Sequence, residues 1–136
     1  MKLHLLILLG KLNRIYLVSK KIQRKDMILQ LEFLQLKKLG ATPLSNRAIN
    51  YVFSSNNVVG FSSPSPYTKK SIDNVLSSTQ NNLNEWVTVK ANVKEDFKKF
   101  HNLDVEELDG LAIMSDTDNS KMVAIAYYQN IYFSSK

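Results

Sequence analysis

The chain contains no cysteine, which excludes thiolate nucleophiles, disulfides and cysteine metal sites. Only two histidines occur, the widely separated His4 and His101, and the four glycines (Gly10, Gly40, Gly60, Gly110) are scattered singly, so no phosphate-cradling loop is present. No Gly-x-Ser-x-Gly turn is present to raise a nucleophilic serine. Acidic residues are scarce in one place: residues 1–40 hold nine Lys/Arg against two acids, whereas residues 41–136 hold nine against ten. The net charge of +6 therefore belongs to the N-terminal segment, and the chain divides by texture into a basic segment, 1–40, and a remainder, 41–136.

Long hydrophobic runs are missing too. The apolar residues 5–9 have the look of a signal-peptide centre, but no small-residue cleavage site follows and Lys11 and Arg14 come at once. They are far too short for a transmembrane span, and the preferred reading is a leucine-rich piece packed on the domain. Residues 19–25, Ser-Lys-Lys-Ile-Gln-Arg-Lys, could meet phosphate or an anionic membrane surface. A solvated link is the simpler reading. Nucleic-acid readers add stacking aromatics or a motif, and only Tyr16 and Phe33 lie near, so nucleic acid is not an expected partner.

What remains is the stuff of one globular domain: 136 residues, of which 44% are hydrophobic and 22% charged. Met27, Leu31, Leu34 and Lys38 fit a helical face with Asp26 as cap and Gly40 past the end, while Leu29, Leu31 and Phe33 alternate as in a strand; helix is preferred. Beyond Gly40, residues 41–46 read as a loop, and Ile49, Tyr51 and Phe53 alternate with Ala48, Asn50 and Val52 as in a strand with one dry face. Residues 62–67 carry Pro64 and Pro66 and cannot form a central strand, because each proline removes a ladder donor. Residues 72–77 and 86–89 read as strands, with Trp86 expected in the core. A short helix is predicted over 93–101, capped by Asn92 with Glu95 in the first turn, and with Val93, Phe97 and Phe100 on one face. Lys98, Lys99 and His101 suit its negative pole, and His101 is expected to be solvated. The best punctuated stretch is the last: a buried strand at 111–114, a polar turn at 115–120, then two more strands up to Phe133. Short strands with regular turn signals and one brief helix favour a mainly β sandwich over an α/β fold.

Three chemistries are open. Asp116, Asp118, Asn119 and Ser120 crowd oxygen atoms into one turn, as a calcium site requires, but the same side chains accept backbone N–H bonds in an ordinary Asx turn, and that reading is preferred. A carboxylate pair such as Asp116 and Asp118 could serve a hydrolase if the two groups flanked a sugar. Tyr67, Tyr127, Tyr128, Tyr132 and Trp86 could stack on sugars if some share an exposed face. On these grounds Asp116, Asp118, Asn119, Tyr127 and Tyr128 are the candidate ligand-binding residues. No catalytic residue is assigned, and no cofactor is expected unless the acidic turn takes calcium.

Several stretches resemble the bacterial domain-of-unknown-function family numbered 3047: Ala48-Ile49-Asn50-Tyr51-Val52-Phe53; Trp86 to Phe97; Gly110 to Ser120, with its Ile-Met-Ser-Asp-Thr-Asp-Asn run; and Ala126 to Phe133. The resemblance is drawn over residues 41–136, the C-terminal part of the domain. Phe53 stands where that family usually has tryptophan, Ala91 where it has arginine and Ser120 where it has threonine. The resemblance implies a jelly-roll-like β-sandwich, cell envelope or periplasm as location, and no established activity. Residues 1–40 do not resemble the family's N-terminal strands, so an incomplete sandwich, prone to self-association, enters as an expectation. The reading preferred from sequence is a non-catalytic ligand- or glycan-binding sandwich; a hydrolase using Asp116 and Asp118, and a truncated, non-functional fragment, are the alternatives.

Overall fold

A computed structural model describes residues 3–5, 14–24, 30–55, 57–78, 87–116, 124–128 and 131–134. In chain order these form β1 (Leu3–Leu5), β2 (Arg14–Arg24), β3 (Gln30–Lys38), a 3-10 turn at Pro43–Ser45, β4 (Arg47–Ser54), β5 (Ser62–Ser65), β6 (Thr68–Ser78), β7 (Val87–Ala91), helix α1 (Val93–His101), β8 (Gly110–Asp116), β9 (Ala124–Tyr128) and β10 (Ile131–Ser134). The strands lie in two sheets. One has six strands in the order β1-β8-β3-β4-β6-β5; in the other, β2 is central, with β7 on one side and β10 and β9 following each other along its opposite side. Pairing is antiparallel except between β4 and β6, because the chain leaves β4 for the outer strand β5 and returns as β6 between the two.

The sheets share one core. Leu34, Leu36, Ile49, Tyr51, Phe53 and Leu111 from the larger sheet meet Val89 and Ala91 from the smaller, and Val93, Phe97, Val105 and Leu108 close it beside α1. The mainly β class with a short helix at 93–101 is what the strand and turn signals predicted.

Residues 30–38 are a strand, not the helix expected over 27–38. The reason is a bulge. On β3 the register steps from Glu32, opposite Val52, to Leu34, opposite Tyr51, so Phe33 is an extra residue. The extra residue breaks the strict alternation that marks a strand in sequence, and the broken period imitates a helical face. Gly40 is no helix cap either: a side chain there would run into Ser45, which closes the Pro43–Ser45 turn by accepting from the Thr42 N–H at 3.0 Å.

Strand β4 has two dry faces where one was expected. Asn50, Val52 and Ser54, which alternate with its core residues, are also buried. The proline-bearing 62–65 segment is the outermost strand beyond β6, the position where a missing donor costs no ladder bond. Ser115 and Asp116, expected in the polar turn, continue β8 to its end. Trp86 and residues 117–120 lie outside the described residues.

Helix α1 starts as read: the Asn92 side chain accepts from the Glu95 N–H at 3.3 Å. It ends at Asn102, whose left-handed backbone (φ 54°) lets the Asn102 and Leu103 N–H groups donate to Lys98 and Phe97 carbonyls. Val93 and Phe97 are fully buried and Phe100 is half-buried. His101 is half-buried rather than fully solvated. Its Nε2–H donates to the Ala48 carbonyl at 2.8 Å and its ring tilts over Phe97.

Candidate functional site

The four-stranded sheet turns one face to the core and, among the described residues, leaves the side chains of the other face exposed. In β10, Ile131 and Phe133 pack against the core and Tyr132 between them points away, 48% exposed. In β9, Tyr128 packs inward and Tyr127 is 46% exposed. In β7, Val87 and Val89 face inward while Thr88 and Lys90 are exposed. Each case follows from the period-two alternation of a strand.

Register on β2 aligns the strands that carry these residues. Tyr132 is opposite Tyr16, which is opposite Lys90 on the other side of β2; Val18 is opposite Thr88; after a register shift between Val18 and Lys20, Tyr127 is opposite Lys21. The four strands hold Arg14, Lys20, Lys21, Arg24 and Lys90 and not one Asp or Glu. The basic run at residues 19–25 is thus strand for most of its length, not a link. Tyrosine rings present a broad apolar face with a polar tip, suited to the C–H faces of sugars.

Of the residues expected to bind ligand, Tyr127 lies on this face and Tyr128 is half-buried against the core. Tyr132 is the exposed partner that alternation alone, counted from the apolar Ile131 and Phe133, would have found. Asp116 ends β8 opposite Glu32 of β3, on the other sheet. Asp118 and Asn119 lie outside the described residues. Among the described residues no cluster of three or more His, Asp or Glu is placed to hold a metal ion.

A second polar grouping was not legible in the sequence. Gln35 Nε2 donates to Asn50 Oδ1 at 2.8 Å, and Asn50 Nδ2 donates to Asp73 Oδ1 at 2.8 Å. The row crosses β3, β4 and β6 on the face away from the core, with Asn50 and Asp73 each only 3% exposed. Its groups satisfy one another, as buried polar groups must. Ser71 Oγ, two residues before Asp73 on the same face of β6, is buried without a hydrogen-bond partner. A third contact ties α1 to the sheet: the Tyr51 hydroxyl donates to Asp96 Oδ2 at 2.7 Å. Burial raises the Asp96 pKa above the usual carboxylate value, and the Tyr51 bond and Lys99 offset part of that. Burial also lifts the Tyr51 phenol, with the Asp96 charge adding to it.

No helix among the described residues is long and apolar enough to cross a membrane. No curated protein and no solved structure matches the chain. The family described as a protein of unknown function, DUF3047, matches residues 12–132. That match reaches well past the 41–136 span of the resemblance and takes in both β2 and β3. The central strand of the four-stranded sheet and the strand that supplies Gln35 to the buried polar row are therefore part of what the family shares, and the chain belongs to the DUF3047 family.

Proposed function

We propose that the protein is a non-catalytic β-sandwich binding module whose ligand, a glycan, lies on the open face of the four-stranded sheet. The observation that carries this reading is the exposure of Tyr127 and Tyr132 on one face, beside exposed Thr88 and Lys90. Exposed rings on a rigid sheet offer stacking area at little entropic cost, because the strands already fix their backbones. Titration calorimetry against a panel of neutral and acidic polysaccharides tests it. Tyr127→Ala and Tyr132→Ala should each weaken binding by about tenfold, close to 1.4 kcal/mol, with melting temperature unchanged. Binding that survives both changes, or no binding to any polysaccharide, would overturn it.

A second reading rests on the Glu32–Asp116 register pair. Acids at paired strand positions, with Asp118 nearby in sequence, could supply oxygen ligands to a calcium ion. The same acids would serve the hydrolase alternative. The Asx turn stays preferred. Asp116→Asn combined with Asp118→Asn keeps the turn acceptors and removes the charge, so calcium is expected to leave the Tm of parent and variant alike unchanged. A calcium-dependent rise in the parent that the variant loses would establish the ion instead.

A further inference from the structure

Two neighbouring loops at one end of the six-stranded sheet carry apolar side chains at their tips. Leu44, in the Pro43–Ser45 turn between β3 and β4, is 75% exposed, and Tyr67, in the β5–β6 hairpin, is 72% exposed. Leu39, where the first loop begins, is also exposed. Because β4 and β6 run parallel with Ala48 opposite Ser71 near their starts, both loops leave the sheet at the same end. By strand order their centres lie two strand spacings apart, roughly 10 Å. Both tips are held. The Thr42 N–H donates to Ser45 Oγ at 3.0 Å, and the Arg47 guanidinium donates to the Leu44 and Asn46 carbonyls at 3.2 and 2.8 Å. In the hairpin Pro66 fixes its own φ, and the Lys70 N–H donates to Thr68 Oγ1 at 3.2 Å.

Charge accompanies the tips. Arg47, Lys69 and Lys70 flank them, and residues 39–47 and 64–72 contain no Asp or Glu. The 102–109 segment, which enters β8 beside Lys37 at this end, does hold acids. Most of these are matched by lysines, in the pairs Lys98–Asp104, Lys94–Glu106 and Lys38–Asp109. We infer that the two tips dock the protein on an anionic lipid surface, with Leu39, Leu44 and Tyr67 entering the interface and Arg47, Lys69 and Lys70 facing lipid phosphates. Apolar side chains gain by leaving water, tyrosine suits the boundary between headgroups and chains, and cations near an anionic leaflet are attracted to it. A protein partner fits less well. A stable protein interface buries about 800 Å² on each side, whereas exposed Thr42, Ser45 and Thr68 interrupt the apolar surface here. A fluid surface accepts separate side chains one at a time.

The exposed Val58, Val59 and Phe61 provide an internal control. The Phe61 carbonyl accepts from the Val75 N–H, which places this group at the far end of β6, roughly 20 Å from the hairpin at about 3.3 Å per residue. Co-sedimentation of the intact protein with vesicles is the test, comparing phosphatidylcholine alone with the same lipid carrying about 30% phosphatidylglycerol. The anionic vesicles should bind at least fivefold more tightly, and raised salt should shrink the difference. Leu44→Ser and Tyr67→Ser should each lower partitioning about tenfold. Lys69→Gln combined with Lys70→Gln should lower it about tenfold on the anionic vesicles alone. Val58→Ser should change nothing, and every variant should keep the parent's melting temperature. Absence of binding to anionic vesicles, or an equal loss in Val58→Ser, would overturn the inference. A dimer seen by sedimentation without lipid, and abolished by Leu44→Ser, would overturn it in favour of a second copy of the chain. The vesicles carry no polysaccharide, so the outcome is independent of the glycan-binding reading.

Discussion

Asp96 and His101, on one helix, meet the β4 strand through Tyr51 and Ala48 and answer acid in opposite directions. Burial lowers the His101 pKa below its ordinary 6.5, and Arg47 adds to that, while the bond to the Ala48 carbonyl works against it. A pKa depressed by folding means the native state favours the neutral ring. Its contribution to stability is whole above pH 6.5 and is lost as the pH falls through the lower folded value. Asp96 has the reverse sign: its folded pKa is raised, so acidification relieves a buried charge rather than creating one. The expected outcome is that Tm falls between pH 7.5 and pH 5.5 in the parent and falls less in His101→Gln, which keeps an N–H donor without the titration. Equal slopes would remove His101 from the account. Tyr51→Phe should cost about 1–2 kcal/mol in denaturant unfolding through the lost hydroxyl bond.

At the scale of elements, α1 and β3 show how local signals succeed or mislead. The helix was legible because cap, amphipathic face and terminal charges agree over residues 92–102, and each concerns near neighbours in sequence. Phe97 is its anchor, fully buried among core residues drawn from both sheets. Phe97→Ala should therefore cost about 3–5 kcal/mol, and Asn92→Ala about 1 kcal/mol through the lost cap, both measured by equilibrium denaturation. A negligible loss at Phe97 would mean that the helix contributes nothing to the core. Strand β3 was misread because Phe33 bulges. The pairing that makes room for the extra residue comes from β4 and β8, distant in sequence, so no window around residues 27–38 could reveal it.

For the whole molecule, the shared core sets the behaviour on heating. Residues 14–38 supply β2, the centre of one sheet, and β3, an inner strand of the other. Neither sheet can lose them and keep its neighbours. A single cooperative unfolding transition is expected, with near-UV and far-UV circular dichroism melting together. Two separated transitions would show that the sheets are stabilised independently. Edge protection fits a monomer on one side of the larger sheet, where β5 is short and carries Pro64. Exposed Val58, Val59 and Phe61 nearby add apolar surface to that edge, so light scattering at raised concentration is the measurement that would expose self-association.

The sequence by itself determined the mainly β class, the single capped helix, the strands around residues 49–53 and 111–114, and the family. All of these rest on patterns a few residues long or on runs such as Ile113-Met114-Ser115-Asp116 that are specific as they stand. It also made Tyr127 a candidate, though without saying which way its ring points. Only the tertiary structure decided the rest. Strand pairing joins residues far apart in the chain: Tyr16 with Tyr132, Lys21 with Tyr127, Gln35 with Asn50 and Asn50 with Asp73. A side chain's face depends on register, and one inserted residue reverses it. The face of the exposed tyrosines and the buried polar row follow from register, which is a property of two strands and not of one, and the hold of His101 on Ala48 follows from the docking of helix on sheet.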